Sequence, residues 1–326
     1  MKKINSYILA LGAIFIFTLN SCSDEDDLVI SEKKETRFDI PQGNHDFDDQ
    51  IVEWYTRYGT AVLYKFTNPD LNYQFTSNAK YDVKVQAEEE GIRAAIQFLK
   101  EDFFDLYSDK VKEKLFPAKI LMAGMLYTND NYVPLWDTIN YGCIYFYKGV
   151  FVRGVDHITL PHVDKEFGQR INKPTYRKRL KIAINRTFFQ FLMKPNNDVI
   201  AKIDYNNIQN SFASYSLVSE EAAKENITNP NSGSNKWYKE EDMHKLGFLE
   251  YSSHWSYDFF YPIHWVAPDL ENDFYSFLGF IFSQTKSELH SNPIYVNNPQ
   301  IKKKCDYLVE AFAQYDIDLY AIGGKE

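Results

Sequence analysis

The chain lacks a surplus of positive charge. Its 326 residues include 36 Lys and Arg against 45 Asp and Glu, which gives a formal net charge of −9. Proteins that bind nucleic acids neutralise phosphates with clustered Lys and Arg, and no such basic stripe occurs in this sequence. We therefore exclude nucleic acid as a partner.

Long hydrophobic runs are also missing. After residue 21, no segment stays apolar for the roughly 20 residues that a membrane-spanning helix needs. The one pronounced apolar run, Ile8–Leu19, follows the positively charged start Met1-Lys2-Lys3 and is followed closely by the small residue Ser21. This order is typical of a secretory signal and is too short to span a bilayer. We expect residues 1–21 to be removed as a signal peptide.

Cysteine is scarce, with three residues and no CxxC pattern, so nothing suggests a thiolate metal site. Cys22 directly follows the signal, and Leu19-Asn20-Ser21-Cys22 resembles a lipobox, whose cysteine is acylated before cleavage. The alternative is an ordinary secretory signal with an incidental cysteine. Cys143 and Cys305 are far apart in sequence, and two buried thiols are favoured over a disulfide, although pairing stays open.

Four carboxylates follow the predicted lipidation site in the run Ser23-Asp24-Glu25-Asp26-Asp27. This run resembles the acidic export signal that sends lipoproteins of the Bacteroidota to the outer face of the outer membrane. A plain solvated tether is the alternative. We expect Cys22 to anchor the protein in the outer membrane, facing the cell exterior, with residues 22–44 as an acidic tether.

The remainder, residues 45–326, is predicted to form a single α+β domain with more helix than strand. Apolar periodicity predicts helices over 46–58, 84–107, 176–193, 238–246, 269–286 and 299–314, and strands over 60–66, 117–127 and 141–152. The polar segment 219–236 is typical of a surface insertion. Aromatic residues make up 17% of the chain, with 24 Tyr and 25 Phe, which fits either an aromatic core or exposed tyrosines that contact sugar or protein.

Three stretches of this domain form a recognisable combination. They are Phe47–Tyr55 with the following strand Val62–Phe66, the segment Ile182–Met193, and the run from Ile301 to Leu319. Together they resemble the substrate-import-associated zinc metallohydrolase lipoproteins of Bacteroidota, a metallopeptidase family encoded beside TonB-dependent nutrient receptors. The resemblance implies a zincin-like scaffold, helix-rich with a small mixed sheet, and zinc as the cofactor. It also implies a TonB-dependent receptor and its surface lipoprotein as partners.

The central stretch departs from the family pattern. Where the family carries HExxH, this chain has Arg186-Thr187-Phe188-Phe189-Gln190. In HExxH the two histidines bind zinc from one helix face and the glutamate activates the metal-bound water. Arg186 and Gln190 stand at the histidine positions and Thr187 at the glutamate position. Arginine cannot give up its proton to bind a metal, so we expect no metal and no hydrolysis at this site.

The acidic third ligand of the family corresponds to the region Asn272-Asp273-Phe274-Tyr275-Ser276, where Asp273 keeps a carboxylate. We hypothesise that Asp273 forms a salt bridge with Arg186 in place of a shared metal ion. The degenerate positions are therefore Arg186, Thr187, Gln190 and Asp273, and no residue is assigned a catalytic or metal-binding role.

Other catalytic signals are weak. His157 and His162 flank Pro161, and His254, Asp258 and His264 could meet if residues 248–268 fold back, but loop histidines are more often surface or core residues. No GxSxG occurs. Asp164 and Glu166 near a turn are more typical of a solvated face than of a glycosidase pair. Asp137-Thr138-Ile139 resembles a Bacteroidota O-glycosylation acceptor, which makes Thr138 a candidate modification site.

The sequence thus favours an inactive, metallopeptidase-like surface lipoprotein that acts as an accessory or binding component of TonB-linked nutrient import, with a glycan or peptide ligand that the sequence does not name. Two alternatives stay open. One is an active zinc metallohydrolase with a rebuilt metal site, and the other is a carbohydrate-binding lipoprotein unrelated to peptidases.

Overall fold

The computed structural model describes residues 38–71, 81–128, 131–132, 151–154, 156–192, 203–217, 240–250, 252–254, 264–266 and 268–324. The signal peptide, Cys22, the acidic run, Thr138, Cys143, the insertion at 219–236 and Asp258 lie outside these ranges and stay predictions. A compact unit covers Ile40–Glu326.

Helix α1 (Asp48–Tyr58) opens the domain, in agreement with the predicted first helix. Ile51 and Trp54 are buried on one side of it, at the spacing that an amphipathic helix requires. The helix ends at Gly59, whose φ of 74° lies in the left-handed region that glycine enters without steric cost. The chain then forms β1 (Ala61–Leu63), which is shorter than the predicted strand.

The prediction of one long helix over 84–107 is wrong at both ends. After the short helix α2 (Asn68–Leu71), residues Asp82–Gln86 form strand β2, and helix α3 covers only Glu89–Asp102 before a 3-10 turn. The segment Asp82-Val83-Lys84-Val85-Gln86 alternates polar and β-branched residues, which is a strand pattern. It was outweighed by the strong helical stripe that follows it.

The sheet is built around β3 (Lys119–Thr128). Strands β1 and β6 (His157–Leu160) run parallel to its first half, with Ala61 and His157 both in register with Lys119. In its second half β3 pairs antiparallel with β2 and with the short β4 (Asn131–Tyr132), while β5 (Val152–Arg153) pairs antiparallel with β6. The expected small mixed sheet is confirmed. Of the strand predicted over 141–152, only Phe151 and Val152 lie in the described part, and Val152 is in β5.

Helices dominate the rest of the described chain. They are α4 (Asp109–Leu115), α5 (Phe167–Ile171), α6 (Pro174–Leu192), α7 (Tyr205–Ala213), α8 (Glu240–Leu246), α9 (Leu270–Phe282), α10 (Lys286–Ser291), α11 (Pro293–Asn297), α12 (Pro299–Ala313) and α13 (Leu319–Gly323). A hairpin, β7 (Ser252–His254) with β8 (His264–Val266), precedes α9. Within the described ranges no helix is long and apolar enough to cross a membrane.

The helix predicted over 269–286 ends earlier than expected, because α9 stops at Phe282 and a separate helix, α10, begins at Lys286. Thr285 caps α10, because its side chain accepts from the backbone N–H of Glu288 while the Glu288 carboxylate accepts from the backbone N–H of Thr285. This reciprocal capping box satisfies two N–H groups that a helix start otherwise leaves unpaired. The Thr-x-x-Glu spacing was therefore a local signal for the break.

Phenylalanine fills much of the core of the described residues, which is one of the two arrangements that the composition allows. Phe189 of α6 packs against Phe282 of α9 and Phe312 of α12, with ring centres 5.4 and 4.7 Å apart. A second aromatic cluster consists of Phe103, Phe116 and Phe188, whose rings contact one another. It packs the segment that follows α3 against α6. Such edge-to-face and offset contacts add to the free energy gained by burying apolar area.

Cys305 of α12 is a free, buried thiol, which agrees with the favoured expectation for this residue. Burial raises the pKa of the Cys305 thiol, because the apolar surroundings disfavour the thiolate. The side chain acts here as a small core residue.

Candidate functional site

Helix α6 carries Arg186, Thr187 and Gln190, the residues predicted to stand at the HExxH positions. Arg186 and Gln190 lie one turn apart and so on the same side of the helix. Arg186 is 4% exposed and Thr187 is 7% exposed, while Gln190 is partly buried. The structure therefore turns this part of α6 toward the interior of the domain.

The guanidinium of Arg186 lies over an aromatic ring of the neighbouring helix. Its central carbon is 5.6 Å from the ring centre of Tyr275 on α9, which is a cation–π contact. Burial lowers the pKa of Arg186, and the negative charges of Glu250 and Glu271 act in the opposite direction. The guanidinium is the most basic of the protein side chains, so Arg186 remains a cation. The charge that Arg186 brings to this site is positive and permanent.

More polar groups gather at the same end of α6. Arg153 of β5 donates from Nη1 to the carbonyl oxygen of Gln190 over 2.7 Å. Burial, reinforced by the charge of Glu271, raises the pKa of Tyr205 on α7 to about 12, and the positive charge of Arg153 opposes the shift. Burial also raises the pKa of Tyr275. We call Arg153, Arg186, Tyr205, Glu271 and Tyr275 the α6–α9 polar cluster.

The carboxylate of Asp273 is paired with a lysine from the C-terminal part of the chain. Lys304 Nζ of α12 lies 2.5 Å from Asp273 Oδ2, and both residues are buried. We expected Arg186 to be the partner of Asp273, and the structure gives that place to Lys304. Sequence reasoning missed this because the two residues lie on different helices, and the only signal was a lysine between the apolar positions Ile301 and Leu308 of α12.

Asn185 forms a second buried polar connection beside Arg186. Its side-chain oxygen accepts from the hydroxyl of Tyr107 over 2.7 Å, and its amide nitrogen donates to the carbonyl oxygens of Asp102 and Lys181. Arg177 holds the Asp102 carboxylate from the surface side at 2.6 Å. A polar Asn on the apolar stripe of α6 was the sequence signal for this network, which connects α6 to the end of α3.

The histidines singled out in the sequence are dispersed. His157 is buried at the start of β6, with Nδ1 3.0 Å from the carboxylate of Asp156, and His162 is buried with a φ of 64°. Strands β7 and β8 pair antiparallel, which places the backbone of His254 in register with that of His264. In the described part of the chain, no three His, Cys, Asp or Glu side chains form a group that could hold a metal ion.

Asp164 and Glu166 serve the local structure at the start of α5. Asp164 accepts from the backbone N–H of Glu166 and forms an ion pair with Arg170 at 3.0 Å. The side chain of Glu166 is 65% exposed. These contacts fit the predicted turn and solvated face.

No family model matches the chain, and no curated protein matches it. Among solved structures, a protein of Bacteroides caccae described as a "putative zinc-binding metallo-peptidase" is similar, with a TM-score of 0.42 and 14% sequence identity. The match covers 85% of this chain and 88% of the other.

Proposed function

We propose that this protein is a surface lipoprotein with a zincin-like scaffold that has exchanged its metal site for a permanent cation and acts by binding rather than by hydrolysis. The observation that carries the proposal is Arg186, which is buried on α6 at a position where a metalloprotease needs a neutral histidine. A metal ion there would face a positive charge rather than a lone pair.

The neighbouring positions lead to the same conclusion. The general base that activates a zinc-bound water is a glutamate in HExxH, and Thr187 has no comparable basicity near neutral pH. Asp273, the remaining acidic residue, already has the ammonium of Lys304 at 2.5 Å. The residues present therefore do not fit a zinc ion, and we derive no hydrolytic step.

The α6–α9 polar cluster offers the chemistry of a binding surface. Arg153 is exposed and Tyr205 is partly exposed, so both are accessible, while Arg186 and Tyr275 form the buried floor. Guanidinium and phenol groups recognise carboxylates, hydroxyls and sugar faces through directed hydrogen bonds and stacking. We propose a peptide or glycan nutrient as the ligand, handed to a TonB-dependent receptor and its surface lipoprotein.

The membrane address in this proposal rests on the sequence alone. Lipidation at Cys22 and the acidic run after it are the basis for placing the protein on the outer face of the outer membrane. A single short acyl chain binds a membrane only weakly, whereas several acyl chains on one cysteine anchor a protein stably.

Zinc analysis of the purified protein tests the central claim. We expect less than about 0.1 equivalent of zinc after expression in zinc-supplemented medium, since a structural or catalytic site loads close to one equivalent. Added chelator should leave the thermal midpoint unchanged. Stoichiometric zinc would overturn the proposal.

One observation favours a rebuilt metal site as the second candidate, namely the backbone pairing of His254 with His264 between β7 and β8. The double variant His254→Ala/His264→Ala distinguishes a metalloprotein with a rebuilt site from a metal-free binding protein. If the purified protein contains zinc and this variant loses it, the protein is a metalloprotein with a new site. If neither contains zinc, the binding function stands.

A further inference from the structure

Lys304 is a fully buried ammonium, with an exposed fraction of 0%. Its Nζ donates to the carbonyl oxygen of Gly247 over 2.8 Å and to Asp273 Oδ2 over 2.5 Å. Withdrawing a lysine from water is costly unless oxygen atoms replace its hydration. Both oxygens come from other parts of the chain, so the packing of separate segments supplies the acceptors of this nitrogen.

Three phenyl rings complete the surroundings of the ammonium. The distances from Lys304 Nζ to the ring centres are 4.4 Å for Phe212, 4.8 Å for Phe248 and 4.9 Å for Phe277. Each lies within the roughly 6 Å at which a ring face attracts a cation. Aromatic rings enclosing one nitrogen are the arrangement with which proteins recognise ammonium ligands. The pocket therefore has the composition of a ligand site.

The groups of this pocket come from elements that are distant in sequence. Phe212 belongs to α7, Gly247 and Phe248 to the segment after α8, and Asp273 and Phe277 to α9. A lysine that served only to cover apolar surface would extend its nitrogen to solvent. A buried ion pair alone is weak ground for stability, since apolar residues of similar volume often replace it without loss. The two oxygen acceptors and the three ring faces around Lys304 Nζ all favour a positively charged group at this position.

We propose that this pocket is an alkylammonium-binding site that the chain fills with its own Lys304 side chain. The inference rests on the proposed loss of the metal, because a built-in ammonium supplies the positive charge that the buried Asp273 requires. The C-terminal half of the domain then keeps its packing without any bound metal ion.

Chemical rescue tests the proposal. Lys304→Ala removes three methylene groups and the ammonium, a fragment that n-propylammonium matches, and buried cavities of this kind take up small ligands. We expect Lys304→Ala to melt at a lower temperature than the natural protein. Millimolar n-propylammonium chloride should raise the midpoint of the variant by several degrees and leave the natural protein unchanged, as ligand binding to the folded state requires.

Two controls show whether charge is responsible. The neutral 1-propanol, at the same concentration, should give no rescue. The double variant Asp273→Asn/Lys304→Ala should respond more weakly to n-propylammonium, because the carboxylate that would hold the ligand is absent. Equal effects of the amine and the alcohol, or equal shifts in all the proteins, would overturn the site.

A second pair of variants covers the case in which Lys304→Ala does not fold. Lys304→Met keeps most of the volume but leaves the Asp273 charge without its lysine, whereas Asp273→Asn/Lys304→Met removes both charges. The double variant should melt higher than Lys304→Met, and the reverse order would contradict the proposal. Zinc content is measured separately, so zinc in the natural protein together with amine-specific rescue would refute only the loss of the metal.

Discussion

The hydroxyl of Tyr107 donates a hydrogen bond of 2.7 Å to the side-chain oxygen of Asn185, and both residues are buried. Burial raises the pKa of Tyr107, so the hydroxyl stays protonated and remains a donor throughout the physiological range. The bond connects the segment after α3 to α6, one residue before Arg186. It therefore fixes the helix that carries Arg186.

Tyr107→Phe should lower the free energy of unfolding by about 1–2 kcal/mol, because the buried oxygen of Asn185 loses its donor. Tyr58→Phe is the matched control, since it removes the same atom from an exposed hydrogen bond to Asp109. The control should change stability by less than about 0.5 kcal/mol. Urea denaturation measures the free energy of unfolding of both variants. Equal decreases in the two would contradict the view that the buried hydrogen bond of Tyr107 stabilises the fold more than an exposed one.

Asp156→Asn should destabilise the protein in a pH-dependent way. Burial alone would raise the pKa of Asp156, but the contact with His157 and the charge of Lys119 outweigh it and lower the pKa. A depressed carboxyl pKa contributes stability above the unfolded value and loses it as the pH falls through the folded value. We expect a loss of about 1–3 kcal/mol near pH 7 that shrinks below about pH 4.

Asp105→Asn is the control for this pH dependence, since it removes an exposed carboxylate paired with Lys100. Its effect should stay below about 0.5 kcal/mol. A difference between Asp156→Asn and the natural protein that stays constant from pH 7 to pH 3 would contradict the role given to the Asp156 charge.

The triple variant Arg186→His/Thr187→Glu/Gln190→His should bind zinc if α6 retains the geometry of a metal-binding helix. Two histidines one turn apart on one face can share one ion, so calorimetry should detect about one equivalent. Arg186→Ala/Gln190→Ala, which removes the cation without adding ligands, should bind none. Failure of the folded triple variant to bind zinc would show that the correspondence between this helix and HExxH is wrong.

Cys22→Ala should release the protein from the outer membrane, because the thiol is the predicted acylation site. Labelling with radioactive palmitate and fractionation of membranes measure the change, and Ser23→Ala should keep both the label and the membrane location. Palmitate retained by Cys22→Ala would exclude the predicted lipidation site. Protease treatment of intact cells tests display on the exterior.

Thr138→Ala should lower the mass of the protein by that of one glycan if Asp137-Thr138-Ile139 is an O-glycosylation acceptor. Thr138→Ser should keep the glycan, because the resembling acceptor takes either hydroxyl residue. Intact-protein mass spectrometry after expression in a Bacteroidota host decides the question. Identical glycan mass in the natural protein and Thr138→Ala would exclude this site.

Helices and strands were predicted correctly where a single periodic pattern of apolar residues dominated the segment. The amphipathic stripe of α1 and the glycine that ends it were sufficient, and α6 was predicted within two residues at its start and one at its end. The strand β2 was missed because its alternating pattern is short and lies beside a stronger helical stripe. Periodicity favours the longer element when two patterns compete.

The sequence by itself determined the charge balance, and it carries the predicted lipid anchor and the predicted correspondence of Arg186, Thr187 and Gln190 to HExxH, because these depend on residue identity alone. It could not name the partners of the buried charges. Only the tertiary structure decided that Asp273 pairs with Lys304 and that Arg186 lies over Tyr275. The physical reason is that a buried charge is stabilised by whichever groups the packing brings within a few ångströms. Those groups lie on helices far apart in the chain, and no local pattern encodes their meeting.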